Sequence, residues 1–242
     1  MSALTKETNA LQDAAALLLE ASLKCGADSA EVCAAYGTKT RISLEKQDFH
    51  LTSSDEGVRL GLRVLRAGRQ GFSSCNVTDP KELRDVASKA VQIAKFSPEN
   101  PHDTIQGAPN IPKEAPSSVF DESLHQLSLH TQKDWTKILR DEALKDPRFR
   151  INEGSVEIGS TVALILNSHG VRKIEKDAIC SWGLMGMGVE GESITSFDYF
   201  QGISRNSKLV TDKLILSTRQ FTKSVLENLK VGSPSSYRGA VL

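Results

Sequence analysis

The feature that most constrains the fold is a strictly alternating row of aliphatic residues within residues 55–76, DEGVRLGLRVLRAGRQGFSSCN. Side chains along a β-strand point alternately to opposite faces of the sheet. The aliphatic residues therefore share one face, and two arginines and a glycine share the other. The first set is Val58, Leu60, Leu62 and Val64, and the second is Arg59, Gly61 and Arg63. The pattern predicts a strand with one buried face.

A hairpin is expected directly after this strand, with a turn over residues 67–70 that leads into Gly71. Glycine adopts a positive φ that other residues resist, so Gly68 is suited to closing the turn. Two of the four glycines in the stretch are thus assigned to turn chemistry. Gly61 lies in mid-strand, where glycine costs stability, and it predicts close packing against another backbone.

Helical and strand patterns alternate along the rest of the chain. Apolar residues at helical spacing predict helices over residues 9–24, 79–95, 124–144 (broken near Lys133) and 208–230. Alternation predicts strands over residues 29–37, 40–46, 150–158, 161–167, 171–190 and 193–202. The first two strands are expected to form a hairpin, and residues 167–170 a turn. These elements predict an α+β (α/β) fold, with helices packed on hairpin-rich, mostly antiparallel sheets in two subdomains.

The helix predicted over residues 79–95 has the clearest boundaries and the clearest row of apolar residues along one face. Asp79 is its expected N-cap, and Pro80 takes the first helical position. The residues expected on its buried stripe are Leu83, Val86, Ala90 and Ile93. Gly26, which follows the first predicted helix, is expected at a C-cap.

Proline marks a boundary near the middle of the chain. Five of the eight prolines fall at positions 98, 101, 109, 112 and 116. Such a segment cannot sustain a helix or a central strand. The predicted organisation is an N-terminal α/β domain over residues 1–96, a Pro-rich linker over 97–118 and a middle α/β domain over 119–236. Residues 237–242 lie outside these three regions.

The composition argues against several classes of protein. Lys plus Arg and Asp plus Glu both number 30, whereas a general nucleic-acid binder carries a surplus of positive charge. Four scattered cysteines, without a C-x-x-C pair, suggest reduced thiols. No apolar run approaches the roughly 20 residues of a membrane span, and no signal peptide is apparent. A cytoplasmic protein without direct nucleic-acid or membrane binding is expected.

No catalytic, cofactor-binding or metal-binding residue is predicted. Gly186, Gly188 and Gly191 match G-x-G-x-x-G, but a strand pattern follows where the dinucleotide fingerprint requires a helix. His125 and His130 are five residues apart, which places them on different helix faces, and H-E-x-x-H is absent.

Arg59 and Arg63 are the candidate contact residues. One interpretation is a solvated strand face paired with Glu45, Asp48 or Asp55. The alternative is an arginine-lined groove that grips a carboxylate or a peptide backbone.

The chain resembles the TldD/PmbA (TldE) family, whose members are often labelled modulators of DNA gyrase. The resemblance begins with residues 26–32, GADSAEV, and continues through residues 57–64, 68–72 and 79–95 to the turn at residues 165–170. It spans nearly the whole chain, and the glycine-arginine hairpin is its most specific part. The positions regarded as the structural fingerprint are Gly57, Gly61, Gly68, Gly71, Asn167 and Gly170.

The resemblance implies a role in peptide maturation or degradation. The family's peptidases resemble zinc enzymes that bind the metal through an H-E-x-x-x-H helix in a C-terminal domain, and they work with a partner subunit that lacks this motif. This chain has no such motif, so zinc is expected only in a catalytic partner, and PmbA/TldE-like identity is favoured. In the family a similar apolar strand opens the C-terminal domain, so the resemblance implies that residues 237–242 are the stump of such a domain.

The expected function is therefore the non-catalytic substrate-handling and dimerisation portion of a PmbA/TldE-type subunit. Its expected partners are a TldD-like subunit or a second copy, together with a peptide substrate. The alternative is a regulatory protein-binding module of the gyrase-modulator type, without a role in peptide hydrolysis.

Overall fold

The structure, a computed structural model, describes residues 3–107 and 120–230 together with residues 232, 236, 238 and 239. Three of the linker prolines, at positions 109, 112 and 116, lie outside the described residues. So do residues 237 and 240–242 of the predicted stump.

Helices and strands alternate within these residues in an α+β arrangement, as predicted. The helices are α1 (Ala3–Lys24), α2 (Pro80–Phe96), α3 (Glu122–His125), α4 (Leu129–Ala143) and α5 (Val210–Glu227). The strands are β1 (Ser29–Glu45), β2 (Asp48–Arg66), β3 (Arg69–Cys75), β4 (Phe149–Asn167), β5 (Arg172–Glu190), β6 (Ser193–Ile194) and β7 (Asp198–Ser204). They form a sheet in the order β3-β2-β1-β4-β5-β6, in which β7 also pairs with β5.

The chain divides into two compact units. Unit 1 comprises Met1–Lys39, Ser54–His125 and Gly159–Ala178, and unit 2 comprises Thr40–Ser53, Gln126–Ile158 and Ile179–Leu242. The four long strands β1, β2, β4 and β5 contribute residues to both units, so neither unit is a continuous stretch of sequence. The sequence-based boundaries after residues 96 and 118 stay a prediction.

The core of unit 1 forms where helices α1 and α2 cover one face of the strands. Leu18 of α1, Leu62 of β2 and Ala90 of α2 are completely buried in one hydrophobic cluster. Leu60 and Val64 lie in the same cluster, and Val58 packs against it, so the buried aliphatic face predicted from alternation is confirmed. The opposite face of the same strands carries no helix from this cluster.

The turn between β2 and β3 is a tight two-residue turn. Ala67 and Gly68 both have positive φ angles, 49° and 67°, and Arg66 pairs with Arg69 directly across the turn. Two successive positive φ angles are typical of a type I′ hairpin turn. The prediction for Gly68 is therefore correct.

Gly71 is not part of the turn, contrary to expectation. It lies within β3, paired with Val64, and a Cβ atom at this position would stand 1.9 Å from the carbonyl oxygen of Ala90 in α2. The close backbone approach expected at Gly61 is therefore found at Gly71. At Gly61 a Cβ atom would meet the Phe72 ring at 3.4 Å, an ordinary side-chain contact.

Two predicted strand breaks are absent. Residues 29–37 and 40–46 form the single strand β1, and residues 150–158 and 161–167 form the single strand β4. Gly37 does not have a positive φ, and a Cβ atom there would lie 3.4 Å from the Ser160 carbonyl oxygen. The glycine thus permits close approach rather than a turn, and the chain reverses later, at Lys46 and Gln47, with φ angles of 48° and 77°.

The second predicted helical region is broken earlier than expected. The break falls between α3 and α4, where the Ser128 side chain accepts a hydrogen bond from the Thr131 backbone N–H, whereas Lys133 lies inside α4. In α2, Asp79 caps the Lys81 and Glu82 N–H groups as predicted. Ile93, however, is 46% exposed, and Val91 and Ala94 take its expected place in the core.

Unit 2 has its own core beneath α4 and α5. Phe149 packs edge-to-face on Phe221 at a centroid distance of 5.7 Å, and the Trp182 indole N–H donates to the Ser217 hydroxyl at 3.0 Å. The buried Gln132 amide donates to the carbonyl oxygens of Thr40 and Val156, both at 2.9 Å. This amide satisfies backbone groups that burial would otherwise leave unpaired.

Candidate functional site

A groove lies on the open face of the unit 1 sheet. Its volume is about 1030 Å³. It is lined by alternate residues of neighbouring strands, those whose side chains point away from α1 and α2. The residues that matter chemically are Glu31, Cys33, Arg59, Arg63, Lys173 and Glu175.

The floor of the groove is open because its side chains are small. Ala35 of β1, Gly61 of β2, Ser74 of β3 and Ala163 of β4 all line it, and Phe72 is the one aromatic residue on the lining, 55% exposed. Small residues let a ligand approach the sheet closely. The groove therefore combines an apolar floor with charged side chains, which is the usual composition of a ligand-binding cleft.

Arg63 is held within the unit by two contacts. Its guanidinium lies 3.4 Å from a carboxylate oxygen of Glu31 and donates to the Thr104 carbonyl oxygen at 3.2 Å. Its side chain is 30% exposed. The partners considered from sequence, Glu45, Asp48 and Asp55, are wrong for Arg63, because the neighbouring strand β1 brings Glu31 to the same face.

Arg59 differs from Arg63 although both lie on the same face of β2. Its side chain is exposed at the groove, and within residues 3–107 and 120–230 it has no hydrogen bond or ion pair. A guanidinium presents five N–H donors in a planar fork that matches a carboxylate. Arg59 is thus the groove residue best able to receive an anionic group from outside.

The opposite side of the groove carries one charge of each sign. Lys173 and Glu175 project from β5, and neither is paired in the described part of the chain. The strand order β2-β1-β4-β5 separates them from Arg59 by three strand spacings, which is roughly 14 Å at the usual spacing in a sheet. The groove therefore offers separated charged anchors across an apolar floor.

Cys33 is a thiol on the groove floor. Partial burial raises its pKa above the ordinary cysteine value, and the negative charge of Glu31 raises it further, while Arg63 acts in the opposite direction. A raised pKa keeps the thiol protonated and unreactive near neutrality. Cys33 is thus a neutral lining residue.

The turn after β4 forms hydrogen bonds to residues 105 and 106 of the same unit. The Asn167 side chain accepts from the backbone N–H groups of His169 and Val171 at 3.0 and 2.9 Å, and it donates to the Gln106 carbonyl oxygen at 2.8 Å. His169 Nδ1 lies 2.7 Å from the Ile105 carbonyl oxygen. Gly170 has a φ of 85°, which the turn requires. Together with Arg63, this turn positions residues 104–106.

The remaining fingerprint glycines have separate local roles. Gly68 closes the β2–β3 turn, Gly71 admits α2, and Gly61 forms part of the groove floor. No atom lies within 4 Å of a Cβ built at Gly57. The structure does not explain a requirement for glycine at position 57.

The described residues contain no group of three or more His, Cys, Asp or Glu side chains placed to hold a metal ion. His50 lies 3.3 Å from Glu45 and His130 lies 3.1 Å from Asp134, both on the surface. The donor set of this part of the chain does not fit a zinc site, and we derive no chemical step through zinc here. Gly186 and Gly188 lie within β5, followed by β6, so the dinucleotide geometry is also missing.

Sequence reasoning identified the arginine face but missed Glu31, Lys173 and Glu175. The sequence does contain a signal for this face, namely the residues of each strand that alternate with its buried residues. In β1, Glu31, Cys33 and Ala35 alternate with the buried residues Ala30, Val32 and Ala34. The face they occupy could have been inferred, but their partners depend on strand order.

Comparison with known proteins connects this geometry to a family. A model of PmbA/TldA metallopeptidase domain 1 matches residues 30–94, which contribute three of the groove-lining segments, those from β1, β2 and β3. Residues 30–94, about a quarter of the chain, are thus similar to the first domain of this metallopeptidase family. No curated protein matches it.

Three solved structures share the fold. TldE from Thermococcus kodakarensis is 18% identical, with a TM-score of 0.75 over 87% of this chain and 47% of that chain. A candidate modulator of DNA gyrase from Bacteroides thetaiotaomicron is 21% identical, with a TM-score of 0.74 over 90% of this chain and 49% of that chain. A similar candidate modulator from Thermotoga maritima is 14% identical, with a TM-score of 0.68 over 90% and 47%. This chain spans about half the length of these three proteins.

Within the described residues, no helix is long and apolar enough to cross a membrane.

Proposed function

We propose that this chain is a member of the TldD/PmbA family and is the non-catalytic, substrate-handling and dimerisation portion of a PmbA/TldE-type subunit. In this proposal it acts in a TldD-like zinc metallopeptidase system that matures or degrades peptides. The observation that carries the proposal is the groove on the open face of unit 1, with the guanidinium of Arg59 at one side, which has no partner among the described residues.

A peptide suits the dimensions and chemistry of this groove. An extended chain advances roughly 3.3 Å per residue, so about four residues would cross from Arg59 to the strand that carries Lys173 and Glu175. Arg59 would bind a carboxylate of the peptide, either an acidic side chain or the C-terminus. The apolar floor would contact side chains of the residues between the anchors. A long polyanion is a poorer match because Glu31 and Glu175 also face the cavity.

The two arginines take different roles in this proposal. Arg63 already contacts Glu31 and the Thr104 carbonyl oxygen, so it positions the wall of the groove. Arg59 contacts the ligand. A peptide that contains a carboxylate should therefore depend on Arg59 for affinity.

Binding can be tested with fluorescently labelled peptides of four to eight residues, in which glutamate is replaced by glutamine in a matched set. The wild type should bind the glutamate peptides, and Arg59→Gln should weaken binding roughly tenfold, as expected for loss of a charge-assisted hydrogen-bonding pair. Arg84→Gln is the matched control, because Arg84 is an exposed arginine on helix α2 of the same unit. Equal affinity of Arg59→Gln and the wild type for every peptide would contradict the role of the groove.

The absence of a catalytic role is tested separately. The purified chain should contain no stoichiometric zinc and should hydrolyse no peptide alone. Peptide hydrolysis should appear when a TldD-type subunit is added. About one tightly held zinc per chain, with chelator-sensitive hydrolysis by the chain alone, would overturn this part of the proposal.

A regulatory protein-binding module is the second candidate function. It is favoured by the two structural relatives described as candidate modulators of DNA gyrase. A pull-down distinguishes the two candidates, since recovery of a TldD-like subunit supports peptide handling and recovery of gyrase supports regulation. A cytoplasmic location is part of the main proposal, supported by the four free cysteines.

A further inference from the structure

Exposed large hydrophobic residues are concentrated in one segment of unit 2. Thirteen such residues occur in the described part of the chain, and six of them fall within residues 194–216. They are Ile194, Phe197, Tyr199, Ile203, Leu209 and Leu216. Clustered apolar exposure of this kind marks an interaction surface more often than scattered single residues do.

Strand β7 lies within this segment as an edge strand. It pairs with β5, from Cys180 opposite Ser204 to Gly186 opposite Asp198, and the described residues place no strand on its other side. Its seven residues, DYFQGIS, include neither lysine nor proline, the residues that natural edge strands use to prevent further pairing. Its unpaired edge is therefore open to another strand.

The sequence of β7 is complementary to itself. If two copies pair antiparallel about Gln201, then Tyr199 of each copy lies opposite Ile203 of the other, and the two Gln201 amides meet. Tyr199 and Ile203 are 74% and 55% exposed, on the face of β7 that the core does not cover. A shift by two residues in either direction would place Tyr199 opposite Gln201 or Arg205, and would separate the two apolar residues. A shift by one residue would exchange the two faces.

Charge and area agree with this arrangement. Asp198 begins the strand and Arg205 directly follows it, so antiparallel pairing brings the acidic end of each copy beside the basic end of the other. The chain as a whole has a formal net charge of zero, so two copies do not repel each other strongly. On this face Tyr199 and Ile203 together expose on the order of 250 Å² per copy, and the unpaired backbone edge of β7 adds to the area that a second copy would cover.

We propose that β7 is the self-association surface of this chain, at which a second copy pairs antiparallel and in register about Gln201 to extend the sheet across a two-fold axis. The proposal rests on the dimerisation part of the proposed function. Its test measures association alone, whereas peptide binding at the groove is measured separately.

Disulfide trapping tests the register directly, in a background in which the exposed Cys25 and Cys33 are replaced by serine. Residues directly opposite in an antiparallel pair have Cα atoms about 4.5–5.5 Å apart, within the range that a disulfide can bridge. Gln201→Cys alone should therefore form a covalent dimer under mild oxidation. A mixture of Tyr199→Cys and Ile203→Cys chains should also cross-link.

Tyr199→Cys alone is the control for this experiment. In the proposed register its two copies are displaced by four residues, roughly 13 Å along the strand, and should not cross-link. Failure of Gln201→Cys to cross-link would overturn the proposal, and so would cross-linking of Tyr199→Cys alone as efficient as that of the mixed pair.

Light scattering across a range of protein concentrations provides a second readout that needs no cysteine. Ile203→Lys places a charge on the paired edge and should raise the dimer dissociation constant at least roughly tenfold, because two cross-strand pairs are lost. Leu129→Lys is the matched control, since Leu129 is a similarly exposed apolar residue (53%) of unit 2 on helix α4, and it should leave association unchanged. A wild-type chain that is monomeric at every concentration, or that associates only with a TldD-type subunit, would refute pairing between identical copies.

Discussion

The two faces of the unit 1 sheet are built from the same strands but serve different purposes. On the covered face, Leu62 and its neighbours are buried against α1 and α2. On the open face, residues from the intervening positions surround a groove of about 1030 Å³. Because side chains alternate along each strand, neighbouring residues differ in role: those on the covered face stabilise the fold, and those on the open face line the groove. Substitutions on the covered face should change the free energy of unfolding, and substitutions on the open face should change ligand affinity or local chemistry.

The pair Gly71 and Gly61 gives the largest expected contrast. Gly71→Ala would force a Cβ atom against the Ala90 carbonyl oxygen, so α2 must move. We expect the free energy of unfolding to fall by about 3 kcal/mol or more. Gly61→Ala meets the exposed Phe72 ring, which can turn away, and lies 3.9 Å from the Cys33 carbonyl oxygen, an ordinary contact, so its effect on the free energy of unfolding should stay within about 0.5 kcal/mol. Urea unfolding of both variants measures the difference. Equal destabilisation would show that the open face is packed as tightly as the covered one.

Leu62 and Arg59 are a second pair, three residues apart on β2. Leu62 is completely buried, so Leu62→Ala should cost about 3 kcal/mol through lost burial and the cavity left behind. Arg59→Ala should change stability by less than about 0.5 kcal/mol because Arg59 is exposed and unpaired in the described chain. Thermal unfolding of the two variants checks this contrast, and a marked destabilisation by Arg59→Ala would place that residue among the structural positions.

Arg63 should give an intermediate result. Arg63→Gln removes a partly exposed ion pair with Glu31 and a hydrogen bond to the Thr104 carbonyl oxygen. We expect the free energy of unfolding to fall by about 1 kcal/mol. The double variant with Glu31→Gln should be less destabilised than the sum of the single variants, as expected for residues in contact. Strict additivity in chemical unfolding would indicate that the pair does not interact in solution.

The smallest effect concerns Cys33 on the groove floor. Burial and the charge of Glu31 raise its pKa, so its alkylation should accelerate only at a pH above the ordinary cysteine pKa. Glu31→Gln removes one of the two causes and should lower that pH. Mass spectrometry of iodoacetamide labelling, with the Cys25→Ser background to isolate the signal, follows the rate across pH. A rate profile unchanged by Glu31→Gln would leave burial as the cause of the raised pKa.

Several features of this fold could be predicted from the residues alone because they depend on neighbours in sequence. Val58 through Val64 alternate, so the buried face of β2 follows from the geometry of any strand. Asp79 followed by Pro80 is sufficient to begin a helix, and Gly68 is sufficient to close a two-residue turn. The exposed position of Arg59 followed from the same alternation.

Other features could not be predicted because they depend on which element lies opposite. Gly71 resembled a turn residue, and only the approach of α2 explains why it must lack a side chain. Gly37 resembled a break, and only the neighbouring strand β4 explains the continuous β1. The partner of Arg63 proved to be Glu31, more than thirty residues earlier in the chain, because β1 and β2 are adjacent.

The sequence by itself determined the α+β class, the helix caps and turns, and the division of β2 into an aliphatic and a basic face. These features arise from backbone preferences and side-chain periodicity, which act over a few residues. Only the tertiary structure decided that Arg63 contacts Glu31 and that the Arg59 side chain has no partner in the described part of the chain. It also decided that Lys173 and Glu175 lie across the groove from them. Strand order and register bring these residues together, and both are set by the burial of all the strands at once.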